Sequence, residues 1–426
     1  MESAASFFAR LYKIEKPWVV TDVELRDDGS VELRVEPAPG AMFPCPGCGT
    51  LCTVYDSYWR TWELLPLGQH KCTINARVPR VACSGCGKDG KRRILLASTP
   101  WGGQNVHYSY EFRDYVLSQA ALRPVQTIAG DLGVSDVTLW NLLKKHVLPA
   151  VEAQDLSGMK RLCLDETSSA AGHDYITQFV DPDFVGPDGM KHPRVVFATS
   201  GKDAGTVEAF VDFLVRHGGR PENIEEICCD MSKAFLSGCL KLFPKAEVVI
   251  DRFHMTKLVG DALDEIRRQE ARTRPELRGS RYAWLKNAEN LTERQKAMRD
   301  ELTRPGLRLR TARAWKLRDD FQKIYDMPAE QAEGALQKWF WRASHSRLEP
   351  MVKAAWSVKS HWAGIMNWFR NRTSNGIMEG MNSMVQSVKA RARGYRNKQY
   401  FILMAYLVGG RLDFSAPRQA DGAGLA

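Results

Sequence analysis

The sequence predicts a multidomain α/β protein in which two small amino-terminal domains precede a larger α/β core, and a large all-helical insertion interrupts that core. Three observations support this prediction. Two CxxCG turns lie near the amino terminus, short apolar strands alternate with amphipathic helices after Lys160, and residues 255–370 have a helical composition throughout. A chain of 426 residues also exceeds one typical hydrophobic core, so several domains are expected.

The bulk composition excludes several classes of protein. A hydrophobic content of 44% and a charged content of 26% are typical of globular chains rather than disordered or membrane-spanning ones. No apolar run approaches the roughly 20 residues that span a bilayer, and the first residues lack the features of a secretory signal, so we expect a cytosolic protein without a membrane partner. The net charge of +10 favours a polyanionic partner, although a basic protein without a nucleic-acid role would also fit.

The two CxxCG turns predict a structural Zn²⁺ site. Each turn supplies two thiolates, and four thiolates complete the tetrahedral coordination of a structural zinc ion. The segments between the turns are rich in aromatic and β-branched residues and are predicted to be strands, so residues 1–100 are expected to form a zinc-ribbon domain. Cys52 and Cys72 could replace a ligand, but neither belongs to a CxxC pair. The predicted ligands are Cys45, Cys48, Cys83 and Cys86.

A helix-turn-helix domain is predicted within residues 101–155. Pro124 can open one helix, and Ser135 can cap a second helix after a turn at Gly133. The inner face of the second helix is predicted to carry Val137, Leu139, Trp140 and Leu143. An ordinary helical hairpin would share these features, but the pattern favours a helix that enters a DNA groove. The residues that this helix would offer to DNA are Asp136, Thr138, Asn141, Lys144 and Lys145.

A five-stranded core is predicted after Lys160. Three short strands come first, followed by a helix, a fourth strand, a second helix and a fifth strand that ends near His254. This is the order of elements in an RNase H-like fold, in which the first and fourth strands are neighbours. The predicted segments are 156–254 for the first part of the core, 255–370 for the helical insertion, 371–415 for the carboxyl-terminal core helices and 416–426 for a tail.

Three acidic residues have settings that suit a pair of metal ions. Asp165 and Asp230 are predicted at the ends of the first and fourth strands, and Glu379 in the first turn of a distant helix. Oxygen ligands suit Mg²⁺ (or Mn²⁺), and two such ions about 4 Å apart can clamp the attacking and leaving oxygens of a phosphodiester. Other roles stay open: Glu166 could exchange with Asp165, Asp230 could cap the next helix, and Glu379 could be an ordinary first-turn acid.

The helix that carries Glu379 is predicted to have a cap and an apolar stripe. Ser374 or Asn375 can cap it, and Asn382, one turn beyond Glu379, could reach the same substrate. The apolar stripe is predicted to contain Ile377, Met381, Met384, Val385 and Val388.

A basic segment follows this helix. It contains no acid, so its cations are expected to be unpaired and to neutralise phosphates of a bound duplex, with Tyr395 and Tyr400 interleaved. The predicted DNA-binding cations are Lys389, Arg391, Arg393, Arg396 and Lys398.

The helical insertion is also basic over its first part. From Arg252 to Asp320 there are eighteen Lys and Arg residues against eleven Asp and Glu residues, which suggests a side that faces DNA. Most tryptophans of the insertion are expected to be core residues, while one could stack on a displaced base. These tryptophans are Trp284, Trp315, Trp339, Trp341, Trp356, Trp362 and Trp368.

Taken together, these motifs resemble those of the bacterial ISL-three (ISL3) insertion-sequence transposases. The resemblance runs in order over essentially the whole chain and is carried by CPGCG, CSGCG, RPVQTIAGDLGVSDVTLWN, LDE, CDMSKAF, DRFHMTKL and NGIMEGMNSMVQSVKARARGYRN. It implies a DDE-type catalytic core of the RNase H-like fold, with Asp165, Asp230 and Glu379 as the triad. Asp251 and His254 also fit a D-x-x-H motif of related families, where His254 either supports the fold or acts at a phosphate.

The resemblance implies DNA transposition in the bacterial cytoplasm, on the nucleoid when the protein is bound to DNA. The ribbon and helix-turn-helix would bind terminal inverted repeats, and the metal site would cleave a strand and join the new 3′-OH to target DNA. Pairing two element ends implies at least a homodimer on double-stranded DNA. Two alternatives stay open: a catalytically silent zinc-ribbon and helix-turn-helix regulator derived from a transposase, and a nuclease that cuts without joining.

Overall fold

The chain divides into two compact units in the computed structural model. One contains residues up to Glu152 and from Ser387 onward, and the other contains Ala153–Gln386. The residues that the structure describes are 3–88, 91–170, 174–371 and 376–414. Ser374 and Asn375, two predicted helix caps, lie outside these residues.

The described residues contain eleven strands and fifteen α-helices. The strands are β1 (Trp18–Leu25), β2 (Val31–Pro37), β3 (Met42–Pro44), β4 (Leu51–Glu63), β5 (Cys72–Lys88), β6 (Lys91–Leu96), β7 (Arg161–Ala170), β8 (Asp174–Asp181), β9 (Arg194–Ser200), β10 (Glu226–Cys229) and β11 (Glu247–Ile250). The helices are α1 (Ala4–Leu11), α2 (Tyr110–Ala120), α3 (Val125–Leu132), α4 (Asp136–Glu152), α5 (Ala204–Arg216), α6 (Lys233–Leu242), α7 (Arg252–Glu270), α8 (Arg281–Leu285), α9 (Glu293–Leu302), α10 (Arg310–Ile324), α11 (Ala329–Ser344), α12 (Glu349–Ser360), α13 (Trp362–Asn371), α14 (Gly376–Arg391) and α15 (Lys398–Gly409).

The first unit is built on a six-stranded sheet of order β1-β2-β5-β4-β3, with β6 paired to β5. β2 and β5 are parallel, and the other neighbours are antiparallel. The long strands β4 and β5 contain the aromatic and β-branched segments between the cysteine turns, which confirms that prediction. The buried face carries a tryptophan cluster, in which the rings of Trp18 and Trp62 lie 5.0 Å and 5.9 Å from the ring of Trp101.

Helices α3 and α4 form the predicted helix-turn-helix. Gly133 lies between them with φ +64°, in the left-handed region that favours glycine. The Thr138 N–H donates to the Ser135 hydroxyl at 3.2 Å, which confirms Ser135 as the cap of α4. Ile128 of α3 and Leu139 of α4 are fully buried and form part of the contact between the helices.

The inner face of α4 differs from the prediction at Val137, which is 57% exposed. The buried positions of α4 begin at Leu139, and two residues rotate a helix by about 200°, so Val137 lies on the opposite side. Trp140 is buried as predicted, and its ring stacks on Tyr400 of α15 at a centroid distance of 4.1 Å. Tyr395 contacts the same indole edge-on at 6.1 Å, so both tyrosines of the basic segment are packed against Trp140.

The second unit contains a five-stranded sheet of order β11-β10-β7-β8-β9. β7, β8 and β9 are antiparallel, and β10 and β11 run parallel to β7. The first and fourth core strands are therefore neighbours, as predicted. Helix α5 packs on this sheet through aromatic rings, with Phe210 stacked on Phe179 at 4.5 Å.

Asp165 lies within a strand rather than at its end, which corrects the prediction. β7 continues to Ala170 because its antiparallel pairing with β8 extends that far. Its pairing with β10 stops at Cys163, so Asp165 lies just beyond the point where β10 ends. Asp230 does follow its strand directly, as predicted.

Helices α7 to α13 follow β11 and form the predicted helical region. Trp284, Trp339 and Trp368 are buried in its core, as expected for most of these residues. Trp341 and Trp356 are 64% and 59% exposed. The tryptophans that are partly buried are Trp315 and Trp362.

The buried carboxylate of Glu270 ties the end of α7 to the start of α10. It accepts hydrogen bonds from the N–H groups of Arg310 and Thr311 at 2.8 and 2.7 Å and from the Thr311 hydroxyl at 2.7 Å. The first N–H groups of a helix have no partner within the helix, and a carboxylate at this end satisfies them and favours the helix dipole.

The substitution Glu270→Ala should lower the free energy of unfolding by about 2–4 kcal/mol, because the N–H groups of Arg310 and Thr311 lose their buried acceptor. Denaturant unfolding followed by tryptophan fluorescence measures the change. Glu265→Ala, at an exposed position of the same helix, is the matched control and should cost less than about 0.5 kcal/mol. Equal unfolding midpoints for the two variants would contradict this role of Glu270.

Candidate active site and zinc site

The four predicted zinc ligands converge in the first unit. The sulfur atoms of Cys45, Cys48, Cys83 and Cys86 all lie within 4.8 Å of one another, and among the described residues they are the one group of three or more metal-binding side chains that does so. Cys52 and Cys72 do not belong to this group. The Cys52 thiol donates to the carbonyl of Thr50 at 3.3 Å, and the Cys72 thiol to that of His70 at 3.6 Å.

The local backbone explains how the thiols reach one another. A Cβ atom at Gly47 would lie 3.0 Å from the Cys86 sulfur, so glycine lets the two turns approach closely. Hydrogen bonding to Thr50 lowers the pKa of Cys48 to about 6, and hydrogen bonding to Cys48 raises that of Cys86 to about 12. Cys86 thus ionises poorly beside Cys48, and a divalent cation bound by both thiols would remove that conflict. The donor set fits zinc.

Both oxygens of the Asp165 carboxylate accept hydrogen bonds. The Glu166 N–H donates to Oδ1 at 2.8 Å, and Nδ2 of Asn382 in α14 donates to Oδ2 at 2.7 Å. The pKa of Asp165 is raised to about 6, chiefly by burial and to a smaller extent by the nearby charge of Asp230, while the Glu166 N–H, His254 and Asn382 act in the opposite direction. A carboxylate that offers only oxygen atoms and lies near a second carboxylate suits a hard divalent cation.

Asp230 is aligned with Asp165 by strand register. Cys228 pairs with Cys163, and continuing this parallel register by two residues places Asp230 beside Asp165. One Asp230 oxygen accepts from the Ser232 N–H at 2.8 Å at the start of α6. The alternative role in helix initiation is therefore present, and it occupies one of the two carboxylate oxygens.

Glu166 lies on the opposite face of β7 from Asp165, as strand alternation requires. It is paired in register with Thr177 of β8, whereas Asp165 is paired with Gln178. Burial raises the pKa of Glu166, and the charge of Asp230 contributes after it. The contact with α14 identifies the Asp165 face as the one that this helix covers.

Glu379 is exposed in the first turn of α14. The same helix contacts β7 one and two turns later, through Asn382 and through Gln386, whose Nε2 donates to the Thr167 hydroxyl at 2.5 Å and the Ser168 carbonyl at 2.9 Å. Residues three and seven positions after Glu379 share its side of the helix, so Glu379 lies on the side of α14 that carries the contacts of Asn382 and Gln386.

The three predicted triad residues do not form a closed cluster. In the part of the chain that the structure describes, the carboxylate oxygens of Asp165, Asp230 and Glu379 do not all come within 4.8 Å of one another. The structure brings Asp165 and Asp230 together and places the helix of Glu379 against β7. The buried side of α14 carries Met378, Met381, Val385 and Val388, while the predicted stripe members Ile377 and Met384 are half-buried.

Asp251 is the N-cap of α7 and His254 lies in its first turn, so His254 is helical rather than part of the fifth strand as predicted. Asp251 is 3% exposed, and it caps the helix by accepting from the Phe253 N–H at 2.9 Å. The His254 Nε2 lies 3.5 Å from the Asp251 carboxylate, and a positive charge on His254 would lower the pKa of Asp165. His254 thus contacts a structural cap and also lies near the carboxylates.

The residues of α4 that were predicted to meet DNA fall into two groups. Thr138 and Asn141 are exposed on its outer side. The Lys144 ammonium lies 4.9 Å from the ring centroid of Tyr400, and that of Lys145 donates to the carbonyl of Asn105 at 2.8 Å. Both lysines therefore have contacts within the first unit.

The predicted basic segment does not lie wholly beyond α14, because Lys389 and Arg391 belong to the last turn of this helix. Its cations are also not a row of unpaired charges, contrary to the prediction. Arg391 donates to the carbonyls of Leu122 and Ala121 at 2.9 and 3.0 Å, where it satisfies acceptors at the end of α2. Lys389 lies 5.9 Å from the ring of Phe401. The remaining cations are Arg393 and Arg396, which are exposed, and Lys398, which begins α15 and is half-buried.

A family model described as "Transposase", for the ISL3 family, matches residues 162–405, which is more than half of the chain. The chain belongs to the ISL3 family of transposases. Two further models match parts of this transposase: "zinc-finger of transposase IS204/IS1001/IS1096/IS1165" at residues 42–86, and "Helix-turn-helix domain of transposase family ISL3" at residues 97–147.

Two curated relatives match almost the full length of the transposase. The transposase for insertion sequence element IS1557 of Mycobacterium tuberculosis is 26% identical over 442 residues, which cover 94% of each chain. The transposase for insertion sequence element IS1001 of Bordetella parapertussis is 28% identical over 396 residues, covering 90% of this chain and 93% of the relative. In the described residues, no helix has the length and apolarity needed to cross a membrane.

Gln178 and Gln386 of the transposase form further contacts between α14 and the sheet, and the sequence patterns did not single them out. Gln178 is fully buried in the apolar strand β8, and its Nε2 donates to Oδ1 of Asn382 at 2.9 Å. A glutamine inside an apolar strand signals a buried amide that needs a partner. The partner itself could not be found from the pattern, because Asn382 lies 204 residues away.

For the zinc site, we expect Cys48→Ser to lose bound zinc and to unfold the ribbon at lower temperature, because structural zinc binding contributes directly to folding. Metal analysis of the purified protein and thermal unfolding measure the two effects. Cys72→Ala is the matched control, since Cys72 is a buried cysteine outside the sulfur cluster, and it should keep a full equivalent of zinc. Zinc retention by Cys48→Ser, or zinc loss by Cys72→Ala, would contradict the assigned ligand set.

The raised pKa of Asp165 predicts a pH-dependent stability in protein that contains zinc but no added Mg²⁺ or Mn²⁺. The folded state holds the Asp165 proton more tightly than the unfolded state, so the free energy of unfolding should fall as the pH rises from the ordinary pKa of 3.8 to about 6. The full contribution is up to about 3 kcal/mol. Asp165→Asn cannot titrate, and subtracting its unfolding free energy isolates this group. A difference that stays constant over this pH range would contradict the raised pKa.

Proposed function

We propose that this transposase cleaves and joins DNA strands at a divalent-metal site formed by Asp165, Asp230 and Glu379. The observation that carries the proposal is the hydrogen bond from Asn382 to Asp165. It places the helix of Glu379 over the strand of Asp165, while the register of β7 and β10 aligns Asp230 beside it. Three acids that are far apart in the sequence thereby belong to one region of the second unit.

The proposed core has the RNase H-like fold. The sheet order β11-β10-β7-β8-β9, with three antiparallel strands followed by two parallel ones, supports this assignment. We keep the predicted domains as part of the proposal. They are a zinc ribbon at 1–100, a helix-turn-helix domain at 101–155, a core at 156–254 and 371–415, a helical insertion at 255–370 and a tail at 416–426.

The carboxylates fit Mg²⁺ or Mn²⁺ because they offer only oxygen ligands and because Asp165 is half-buried near a second acid. Asp165 and Asp230 would hold one ion, and Asp165 and Glu379 the other. When bound, the ions supply charge neutralisation at the scissile phosphate. His254 lies close enough to Asp165 to affect its pKa and would act as an accessory group held by Asp251.

DNA binding would involve both small amino-terminal domains, with terminal inverted repeats and target DNA as the partners. Thr138 and Asn141 are exposed on α4, the helix that enters a groove in this motif, and Lys144 and Lys145 would contact flanking phosphates after small rearrangements. Among the cations of the basic segment, Arg393 and Arg396 are the exposed candidates for phosphate contacts. Synapsis of two ends would require at least a homodimer, acting on DNA in the bacterial cytoplasm.

The test is Mg²⁺-dependent cleavage of a labelled duplex that carries the terminal repeats of the element. We expect wild type to nick at the repeat boundary. Glu379→Gln should bind the duplex but nick it at least about 100-fold more slowly, since a charged metal ligand becomes a neutral one. Glu293→Gln is the matched control, because Glu293 is also an exposed first-turn acid, on α9.

Three outcomes separate the proposed transposase from its alternatives. Wild type that joins a pre-cleaved end with a free 3′-OH to target DNA supports the proposal. Wild type that nicks but never joins such an end would indicate a nuclease. If wild type and Glu379→Gln bind equally and neither nicks, the protein is better described as a silent DNA-binding regulator.

A further inference from the structure

Gln178, Asn382 and Asp165 form a continuous chain of hydrogen bonds inside the second unit. Gln178 and Asp165 are direct cross-strand partners on β8 and β7, so their side chains emerge on the same face of the sheet. Asn382 of α14 lies over both. Its Nδ2 donates to Asp165 Oδ2 at 2.7 Å, and its Oδ1 accepts from Gln178 Nε2 at 2.9 Å.

The chemistry of the three side chains fixes the direction of every bond in this chain. An ionised Asp165 can only accept, so Asn382 must turn its amide nitrogen toward it. The Asn382 oxygen then faces Gln178, which must present its own nitrogen. Gln178 is fully buried and cannot exchange this partner for bulk water. The other Asp165 oxygen is held by the Glu166 N–H, so the carboxylate is fixed at both ends.

We infer that Asn382 and Gln178 are positioning residues for the metal-ligating carboxylate of Asp165, and that Asn382 is not a DNA contact. The inference rests on the proposed function, in which Asp165 is shared by two ions. Glu379 and Asn382 are one turn apart on α14, so one helix supplies a ligand and also orients the ligand contributed by β7. Gln178 in turn fixes the orientation of the Asn382 amide through its hydrogen bond to Oδ1.

Gln386 provides a matched control for this role. It attaches the same helix to the same strand through the Thr167 hydroxyl and the Ser168 carbonyl, but it does not contact Asp165. A purely structural contribution of α14 anchoring would be lost in Gln386→Ala as well as in Asn382→Ala. An effect on the carboxylate itself would appear only in Asn382→Ala and in variants of Gln178.

The test measures Mn²⁺ binding by calorimetry to the zinc-loaded full-length protein, without DNA and independently of activity. Side chains that orient metal ligands typically contribute 10–100-fold to metal affinity, so we expect a loss of about that size in Asn382→Ala. Gln178→Met, which keeps the buried volume, should lose less Mn²⁺ affinity than Asn382→Ala. The double variant should be no worse than Asn382→Ala alone, because Gln178 acts through Asn382. Gln386→Ala should bind Mn²⁺ like wild type, and DNA affinity should be unchanged in Asn382→Ala.

Two results would overturn the inference. If Asn382→Ala keeps its Mn²⁺ affinity but binds duplex DNA more weakly, Asn382 is a substrate contact. If Gln386→Ala loses as much Mn²⁺ affinity as Asn382→Ala, the bonds only anchor the helix. Failure of the proposed function is distinguishable from both, because in that case wild type and Asp165→Asn would give the same Mn²⁺ titration. Far-ultraviolet circular dichroism checks that each variant is folded, so that a loss of Mn²⁺ affinity is not caused by unfolding.

Discussion

The parallel pairing of β7 with β10 is the interaction on which the candidate active site depends. It joins segments 65 residues apart, and its register sets Asp230 beside Asp165. Because the pairing stops at Cys163 while β7 continues along β8, Asp165 lies on a rigid strand and still borders the open end of β10. At Asp165, β7 is paired with β8 on one side and is unpaired on the side of β10. Such a strand can position an acid precisely while leaving space beside it for a ligand.

Holding carboxylates in such a place has an electrostatic cost. Burial and the neighbouring charge of Asp230 favour the protonated form of Asp165, and the hydrogen bonds from Glu166 and Asn382 offset part of this effect. A divalent cation would favour the ionised form much more strongly. The cysteine site of the first unit follows the same logic with softer ligands, since its four sulfurs lie within 4.8 Å of one another. In both places the fold brings like groups together, and a bound cation would stabilise that arrangement.

The family assignment and the geometry support each other at different levels. Matches over the ribbon, the helix-turn-helix and the core identify an ISL3 transposase. The structure adds which side chains touch which, and it gives several polar residues hydrogen-bond partners within the chain. Arg391 satisfies the end of α2, and Asn382 holds Asp165. Tyr400 stacks on the ring of Trp140.

Features that depend on short-range patterns could be predicted from the amino-acid sequence alone. The cysteine turns, the cap at Ser135 and the five core strands could be predicted because spacing, periodicity and capping are encoded within a few residues. The folded structure was needed to show that β7 runs past Asp165, that Val137 faces outward, that Gln178 contacts α14, and that Gln386 of α14 contacts β7. Those outcomes depend on partners as many as two hundred residues away, and a buried amide shows that it needs a partner without showing which one it has.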